Sequence, residues 1–243
     1  MRAVILAAGM ATRLRPLTND TPKCLLQIGE CCLLERTVDV LISNGINEIA
    51  VVTGYRSQQI VDFLNACYPS ISFEFIYNDR YETTNNIYSL WLTRKFSEGN
   101  NILLLDSDIL FDPQIIPALI NFRKKNALAL NRHELGEEEI KVIIDNEGKV
   151  LEISKTCSPQ IAIGESVGIE KMSSNYTKAL FAELEQMIEK EHLDNVFYEQ
   201  AFERIIKKDH YFYIKDTTNL FSIELDTVED FKQAQILIPK ELY

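Results

Sequence analysis

Long apolar runs are absent from this sequence of 243 residues. A membrane-spanning helix needs about 20 consecutive apolar residues, and no run here approaches that length. We therefore expect a protein that does not insert into a membrane. Because Met1 leads directly into a strand-like run, we also expect no signal peptide and a cytoplasmic location.

An excess of positive charge is also missing, since the formal net charge is −11. A chain of this charge has no overall field that would attract nucleic acid. We therefore predict no nucleic-acid partner. An anionic ligand would have to be held by local cations and a metal ion.

Cysteine is scarce, and its spacing is irregular. The chain has one adjacent pair, Cys31 and Cys32. Three further cysteines are scattered, namely Cys24, Cys67 and Cys157. An odd number without the spacing of zinc ligands argues against a zinc site and is typical of a reducing cytoplasm.

Apolar segments are plentiful, and two kinds alternate along the first half of the chain. Short runs of strand type lie at Met1–Leu6, Ile49–Thr53, Phe73–Tyr77, Asn101–Leu105 and Ala127–Asn131. Segments of helical type lie at Cys32–Asn44, Ser57–Cys67, after Asn85 or Asn86, and at Asp112–Lys125. This alternation predicts an α/β fold, a doubly wound and mostly parallel Rossmann-like sheet with helices on both faces.

The second half of the chain has a different pattern. It predicts a hairpin over Lys141–Ile153, an extended run at Ile161–Lys171, helices at Ser173–His192 and Asn195–Lys208, a strand at Phe221–Leu225 and a closing helix at Val228–Leu237. We expect one domain over residues 1–243, with a core of residues 1–131 and a smaller β-rich lobe of residues 132–243. The sequence carries no signal of oligomeric state.

A candidate phosphate-binding loop follows the first strand-like run. Small residues there leave room for a close ligand, and their backbone N–H groups can point at phosphate oxygens; these residues are Leu6, Ala7, Ala8 and Gly9. Arg13, Arg15 and Lys23 add positive charge at the same end of the strand. The loop lacks the Gly-Lys-Ser/Thr of a Walker motif and the further glycines of a dinucleotide fingerprint.

The motif from Leu6 to Thr18, followed by Thr21-Pro22-Lys23, resembles the signature of the nucleotidyltransferases that activate sugar phosphates and phosphocholine. The resemblance covers nearly the whole chain and implies a GT-A-like fold, with the nucleotide on the core and the acceptor on the smaller lobe. This sequence departs from the family pattern at three places, where Ala11 replaces a second glycine, Cys31-Cys32 replaces Lys-Pro, and Ile109 replaces Asn.

Two later motifs resemble the CTP:phosphocholine cytidylyltransferase branch of this family. One is Asn85-Asn86 followed by Tyr88-Ser89-Leu90, and the other is Ile-Ser-Lys155 followed by Gly164-Glu-Ser-Val-Gly-Ile169. The resemblance implies that Asn86 and Ser89 contact the nucleotide or acceptor, although a capped amphipathic helix with a core Trp91 explains the same residues. It also implies that Lys155 faces the acceptor phosphate, where a solvated lysine is the alternative.

Two aspartates close the fourth strand-like run. Asp106 and Asp108 have a spacing that sends both side chains to one side of an extended backbone. They follow a strand whose carboxyl end should lie beside the phosphate loop. The resemblance implies that Asp108 and Asp226 bind Mg²⁺ while Asp106 contributes a further carboxylate to the nucleotide site.

The resemblance implies transfer of a cytidylyl group from CTP to phosphocholine or a related aminoalkyl phosphate or phosphonate. Arg13 and Lys23 would hold the triphosphate, and Lys155 would hold the acceptor. A sugar-1-phosphate nucleotidylyltransferase and a 2-aminoethylphosphonate cytidylyltransferase stay open as alternatives. A regulatory module that has lost the chemistry is disfavoured, because Arg13, Lys23, Asp108 and Asp226 are all present.

The head group of the acceptor has two sets of candidate partners. A choline cation favours an aromatic cage, for which the candidates are Tyr81, Tyr88, Trp91, Phe197 and Tyr198. A primary amine prefers carboxylates, for which Glu165, Glu199 and the run Glu137–Glu139 are candidates. The sequence leaves this choice open.

Overall fold

The apolar runs of the first half form the centre of a mixed sheet in the computed structural model, which describes residues 1–240. Strands within that range are β1 (Arg2–Ala7), β2 (Gln27–Ile28), β3 (Cys31–Cys32), β4 (Ile49–Thr53), β5 (Phe73–Tyr77), β6 (Ile102–Asp106), β7 (Ile109–Phe111), β8 (Ala127–Asn131), β9 (Lys141–Ile144), β10 (Val150–Ser154), β11 (Gly164–Met172), β12 (Tyr213–Asp216) and β13 (Ser222–Glu224). Residues 241–243 of the predicted domain lie outside the described part.

The order of the strands places β1 in the middle of the large sheet. Strands β6, β1, β4 and β5 are neighbours in that order, and all of their pairings are parallel. Strand β11 runs antiparallel to β6 and also pairs with β8 and β9. The parallel centre confirms the predicted doubly wound fold, and β11 joins it to the strands of the second half.

Alternate residues of the central strand face two separate apolar layers. Ala3 and Ile5 point to one layer, whereas Val4 and Leu6 point to the other, as the period of two in a strand requires. The helices that cover the sheet are α1 (Leu33–Ser43), α2 (Ser57–Cys67), α3 (Asn86–Leu92), α4 (Arg94–Ser97), α5 (Ile115–Ile120), α6 (Ser174–Glu185), α7 (Glu199–Ile206) and α8 (Val228–Leu237). A π-helical turn, Gln186–Lys190, extends α6. Within residues 1–240, none of these helices combines the length and apolarity that a membrane crossing requires.

Side-chain caps fix the start of several helices where the sequence predicted them. The Asn85 side chain accepts a hydrogen bond from the backbone N–H of Asn86 at the start of α3. Thr227 and Asp230 form a reciprocal capping box at the start of α8. These caps place α3 and α8 beside the carboxyl ends of the central strands.

The loops after β1, β4 and β5 meet at the carboxyl edge of the sheet. Gly54, just after β4, is required there because a Cβ atom would lie 2.7 Å from the carbonyl oxygen of Ala8 and 2.7 Å from the Cβ of Tyr81. The backbone N–H of Tyr55 donates to the same Ala8 oxygen at 3.0 Å. This contact joins the first loop to the next strand of the sheet.

Candidate active site

A cleft of about 1070 Å³ opens at this carboxyl edge. Residues from both halves of the chain line it. It is lined by all the residues predicted for catalysis, nucleotide binding and metal binding, which are Leu6, Ala7, Ala8, Gly9, Arg13, Lys23, Asn86, Ser89, Asp106, Asp108, Lys155 and Asp226. The roles assigned to these residues stay predictions, but the fold brings all of them to one cleft.

The first loop leaves β1 with buried small residues and then turns sharply. Leu6, Ala7 and Ala8 are buried, whereas Gly9 is exposed and a Cβ atom added to it would meet no atom within 4 Å. Ala11 adopts a left-handed backbone with φ +46°, which explains why the family pattern has glycine at this turn. The Thr18 hydroxyl donates to the carbonyl oxygen of Ala11 at 2.8 Å and holds the turn closed.

Lys23 lies between two of the predicted metal ligands. Its Nζ atom is 3.0 Å from Asp108 Oδ2 and 2.8 Å from Asp226 Oδ1, and the Arg13 guanidinium donates to the other oxygen of Asp226. Burial by itself would lower the pKa of Lys23, but Asp108 and then Asp226 raise that pKa above its ordinary value. Burial would raise the pKa of Asp226, yet Lys23, followed by Arg13, lowers it. The Lys23 ammonium and the Asp226 carboxylate therefore stabilise each other's charged form.

Asp108, Asp226 and Glu224 form a three-carboxylate cluster whose oxygen atoms lie within 4.8 Å of one another. Pairing of β13 with β7 builds this cluster, and the backbone N–H of Leu225 donates to the carbonyl oxygen of Asp108 at 2.9 Å. Burial, followed by the Asp108 charge, raises the pKa of Glu224 to about 8. One oxygen of Asp108, Oδ1, is buried without a hydrogen-bond partner. An unpartnered oxygen in a set of carboxylates fits a divalent cation such as Mg²⁺, which binds through carboxylate oxygens.

Asp106 lies beside this cluster but does not belong to it. The Tyr198 hydroxyl donates to Asp106 Oδ2 at 2.8 Å. Burial, followed by the charges of Asp108, Glu170 and Glu199, raises the pKa of Asp106 well above its usual range. Asp106 and Asp108 both line the cleft, and the sequence spacing that groups them does not give them the same partners.

Asn86 and Ser89 each make a structural contact while lining the cleft. The backbone N–H of Tyr198 donates to Asn86 Oδ1 at 2.9 Å, which ties α3 to the segment before α7. The buried Asn78 donates to the Ser89 hydroxyl at 3.1 Å. These bonds support the capped-helix interpretation, and both residues remain on the cleft wall, where a ligand can reach them.

Lys155 faces the cleft from the turn after β10. Its Nζ atom is 3.2 Å from Glu138 Oε2 and lies 5.0 Å from the centre of the Phe197 ring. Glu138 also approaches Arg13 at 4.0 Å. The exposed Glu138 carboxylate therefore joins two cations that the sequence assigns to different phosphate groups.

Only part of the predicted head-group set reaches the cleft. The members that line it are Tyr81, Phe197, Glu138, Glu139, Glu165 and Glu199. The other three aromatic candidates have different partners, since Tyr88 packs on Trp91 and Tyr198 is fully buried. Within the described range, the rings therefore do not assemble into a single cage.

Glu165 and Glu199, two of the carboxylate candidates on the cleft wall, differ in their partners. Glu165 Oε2 is 2.7 Å from His133 Nε2. Glu199 Oε2 is buried and has no hydrogen-bond partner. Burial raises the pKa of Glu199 to about 7, against a lowering effect of Lys155. Glu199 is therefore the carboxylate with an unused oxygen.

Glu224 and His133 line the cleft but were not among the predicted site residues, whereas Glu138 was predicted only within the run Glu137–Glu139 for the head group. The i, i+2 spacing of Glu224 and Asp226 is the same signal that drew attention to Asp106 and Asp108, and it could have identified Glu224. His133 lies in the same loop before β9 as Glu138, at a position that no sequence pattern marks as facing a cleft.

Comparison with protein families assigns residues 2–153 to the nucleotidyl transferase model. The choline-phosphate cytidylyltransferase of Streptococcus pneumoniae is 41% identical over 108 residues, which are 44% of this chain and 44% of that protein. The CTP:phosphoglutamine cytidylyltransferase of Campylobacter jejuni is 26% identical and aligns over 86% of this chain and 89% of its own. The 2-aminoethylphosphonate cytidylyltransferase of Lancefieldella rimae is 28% identical and aligns over 73% of this chain and 69% of its own.

A solved structure has the same fold. The CTP:phosphocholine cytidylyltransferase from Streptococcus pneumoniae superimposes with a TM-score of 0.81, covering 98% of this chain and 99% of that one at 23% identity. At this identity the likeness concerns the fold, and it extends beyond residue 153 to the strands and helices that carry Asp226.

Proposed function

The chain belongs to the nucleotidyl transferase family, and on that premise we propose that it transfers the cytidylyl group of CTP to the phosphate or phosphonate of a small amine-bearing acceptor. Pyrophosphate is the second product. The observation that carries the proposal is the cluster of Asp108, Glu224 and Asp226 with Lys23 and Arg13 against it, at the mouth of the first loop.

The reaction needs no protein nucleophile. An oxygen of the acceptor phosphate, already ionised near neutral pH, attacks the α-phosphorus of CTP. A new P–O bond forms, and the bond from the α-phosphorus to the bridging oxygen of the β-phosphate breaks. The protein has to hold two anions in line and neutralise the charge that develops on the leaving pyrophosphate.

The cations of the cleft suit these two tasks. Arg13 and Lys23 hold the triphosphate and the leaving group, and the N–H groups of the first loop lie beside them. Lys155 receives the acceptor phosphate from the opposite lobe. When substrate phosphates pair with Lys23 and Arg13, these two cations no longer pair with the carboxylates of the cluster.

Asp108, Asp226 and Glu224 would hold Mg²⁺. The ion, when bound, supplies positive charge to the phosphate oxygens of the nucleotide. The fit rests on the unpartnered Asp108 Oδ1 and on oxygen ligands of the type that Mg²⁺ prefers. Asp106 then stands next to the metal ligands as a nucleotide or acceptor contact.

CTP and an amine-bearing acceptor are chosen because the relatives named above are cytidylyltransferases. One of them is named for 2-aminoethylphosphonate and another for choline phosphate. The carboxylates Glu165 and Glu199 on the cleft wall are consistent with a cationic head group.

The test is pyrophosphate release with Mg²⁺ and a grid of substrates. CTP, UTP, GTP and dTTP are each combined with phosphocholine, phosphoethanolamine, 2-aminoethylphosphonate and glucose 1-phosphate. We expect release with CTP and an amine-bearing acceptor. Release with glucose 1-phosphate alone would overturn the acceptor class and favour the sugar-phosphate alternative.

A variant pair tests the carboxylate cluster in the same assay. Asp108→Asn and Asp226→Asn should each lower kcat by about 10²–10³, because groups that act in the transition state have effects of that size. Asp62→Asn, on the exposed face of α2, removes the same charge far from the cleft and should match the wild type. Near-normal Mg²⁺-dependent turnover in both site variants would contradict the assignment.

A further inference from the structure

Two buried carboxyl groups on the acceptor side of the cleft each have an oxygen without a partner. Glu199 is 6% exposed and Glu170 is 1% exposed, and the Oε2 atom of each makes no hydrogen bond. Within residues 1–240, no ion pair involves either side chain. Glu170 has a single weak donor, the Ser166 hydroxyl at 3.3 Å from its other oxygen.

The two carboxyl groups lie at different depths from the cleft. Glu199, at the first turn of α7, lines the cleft, while Glu170 on β11 lies behind the wall that Ser166 and Gly168 form. The Glu199 charge acts on Glu170. Lys155 and Glu199 both line the cleft, and the Lys155 charge acts on Glu199.

Burying carboxyl groups without partners is costly. A polar group that loses water without gaining a hydrogen bond costs roughly 1–3 kcal/mol in protein mutational data, and an unpaired charge costs more. A fold that keeps Glu199 on the wall of a substrate cleft with an unpartnered oxygen is explained when a ligand supplies the missing donor.

We propose that Glu199, backed by Glu170, is the subsite for the acceptor's amine, and that the subsite takes a protonated amine bearing N–H groups. This inference rests on the proposed function and narrows its acceptor to primary aminoalkyl phosphates and phosphonates. With its phosphate on Lys155, a short acceptor brings its ammonium group to Glu199.

The aromatic side of the cleft favours the same choice. A trimethylammonium group has no N–H to donate and is held by aromatic rings. Of the rings considered, Tyr81 and Phe197 line the cleft, and Phe197 already packs under Lys155. A carboxylate with an unused oxygen is matched better by an N–H donor than by a methylated cation.

The test is a series in which methyl groups replace the N–H groups of the acceptor one at a time. Initial rates of pyrophosphate release are measured at saturating CTP and Mg²⁺ with phosphoethanolamine and its N-methyl, N,N-dimethyl and N,N,N-trimethyl forms, the last being phosphocholine. We expect kcat/KM to fall with each methyl group, by about tenfold or more over the series, since hydrogen bonds to charged groups contribute that much. 2-Aminoethylphosphonate should behave like the primary amine.

Variants assign the preference to its residues. Glu199→Gln should raise the KM for phosphoethanolamine about tenfold to a hundredfold, leave the KM for CTP unchanged and flatten the methylation series. Glu170→Gln, a positioning change, should act in the same direction but less. Glu203→Gln removes a carboxylate one turn along α7, away from the cleft lining, and should follow the wild type.

The outcomes separate this inference from the proposed function. Phosphocholine used as well as or better than phosphoethanolamine overturns the inference and leaves cytidylyl transfer standing, as does a Glu199→Gln variant that lowers kcat/KM equally for every acceptor. No release with any amine-bearing acceptor overturns both. If a variant fails to fold by circular dichroism, the wild-type methylation series decides alone.

Discussion

Ala11 has a left-handed backbone and carries a methyl group that glycine lacks. It lies in the loop that is proposed to hold the triphosphate. Residues other than glycine pay about 1–2 kcal/mol for this conformation. The turn persists because Thr18 and Leu14 both donate to the Ala11 carbonyl oxygen. The loop therefore keeps the family geometry without the family glycine, at a cost in stability.

Replacing Ala11 with glycine should stabilise the protein. Relief of the left-handed strain outweighs the extra chain entropy of glycine, so we expect the free energy of unfolding to rise by about 0.5–1 kcal/mol. Ala179→Gly, in the middle of α6, should lower it by a similar amount. Urea unfolding of both variants checks this, and a destabilised Ala11→Gly variant would show that the methyl group has a packing role.

Lys23 shows which residue-scale features the sequence could predict. Its membership of the site follows from the motif, but its position between Asp108 and Asp226 depends on a contact across 203 residues of sequence. Glu224 was missed for a related reason. Its carboxylate joins the cluster only because β13, which lies within the strand predicted at Phe221–Leu225, pairs with β7, and the three residues of β7 were not predicted as a strand.

At the scale of elements, the long buried strands were predicted with accurate bounds, because their apolar runs are continuous. The helix expected over Asp112–Lys125 was wrong in its extent, since α5 covers only Ile115–Ile120. Asp112 Oδ1 instead accepts from the Gln114 N–H in a tight turn. The Lys171 ammonium donates hydrogen bonds to the carbonyl oxygens of Ile120 and Phe122, so these groups have partners although the helix ends there.

The second half was harder to predict in its details. The helix expected over Asn195–Lys208 is shorter, Glu199–Ile206, because Asn86 binds the backbone of Tyr198 before the helix begins. Strand β12 was missed since its four residues include two charged ones. The division of the chain at residue 131 stays a prediction. Tertiary contacts, which local pattern does not contain, determine these features.

Strand β11 brings a glycine against a site carboxylate. Gly168 has φ +75°, and a Cβ atom there would lie 2.8 Å from Asp106 Oδ2. The strand also changes register between Ser166 and Glu170. This irregularity lets the backbone of β11 approach Asp106 closely from the acceptor side.

Gly168→Ala should therefore disturb both stability and turnover. Gly148 provides a matched control, because it has φ +77° but its added Cβ would meet only Ile214 at 3.6 Å. We expect Gly148→Ala to cost about 1 kcal/mol of left-handed strain and Gly168→Ala about 2–3 kcal/mol. Only Gly168→Ala should lower kcat/KM, by about tenfold or more, through displacement of Asp106. Equal effects of the two changes would show that the contact with Asp106 does not cause the losses in Gly168→Ala.

The loop before β9 carries a carboxylate that, under the proposed function, would compete with substrate for two cations. Glu138 contacts both Lys155 and Arg13, which the proposed function assigns to phosphate groups. Lys141 anchors this loop by donating to the carbonyl oxygens of Gly136, Glu137 and Glu139. Substrates must therefore displace the Glu138 side chain while the base of the loop stays in place.

Removing this competitor should tighten substrate binding. In Glu138→Gln, we expect the KM values for CTP and acceptor to fall about twofold to fivefold with kcat unchanged, as exposed ion pairs contribute little each. Glu137→Gln alters the neighbouring carboxylate, which makes no ion pair in the described structure, and should change neither KM. Steady-state kinetics with each substrate varied in turn measures both. A higher KM in Glu138→Gln would mean that Glu138 helps to close the loop over bound substrate.

At the scale of the whole molecule, the chain is strongly acidic and the cleft concentrates that charge. Three carboxylates surround the cation Lys23, and further buried carboxyl groups lie at Asp106 and Glu199. When no ligand is present, these carboxyl groups lower the stability of the folded protein. That stability should therefore depend on the pH at which the groups ionise.

Glu199 gives this dependence a definite sign. A glutamate in the unfolded chain titrates near pH 4.3, whereas burial raises the pKa of Glu199 in the folded protein to about 7. Between these pH values the folded protein keeps a proton that the unfolded chain has lost. The stabilising effect of that proton is complete below about pH 4.3 and is lost as the pH rises through 7.

Glu199→Gln should therefore flatten the stability curve between pH 5 and 8. The wild type should lose about 3 kcal/mol more than the variant over the full window, since each pKa unit corresponds to about 1.4 kcal/mol. Chemical unfolding at pH 5, 6, 7 and 8 measures the difference, and Glu189→Gln, at an exposed position, should run parallel to the wild type. Parallel curves for wild type and Glu199→Gln would show that the buried carboxyl group stays ionised in the folded protein. A bound primary amine should reduce the gap at pH 8, because its ammonium group stabilises the same carboxylate that the proton protects at low pH.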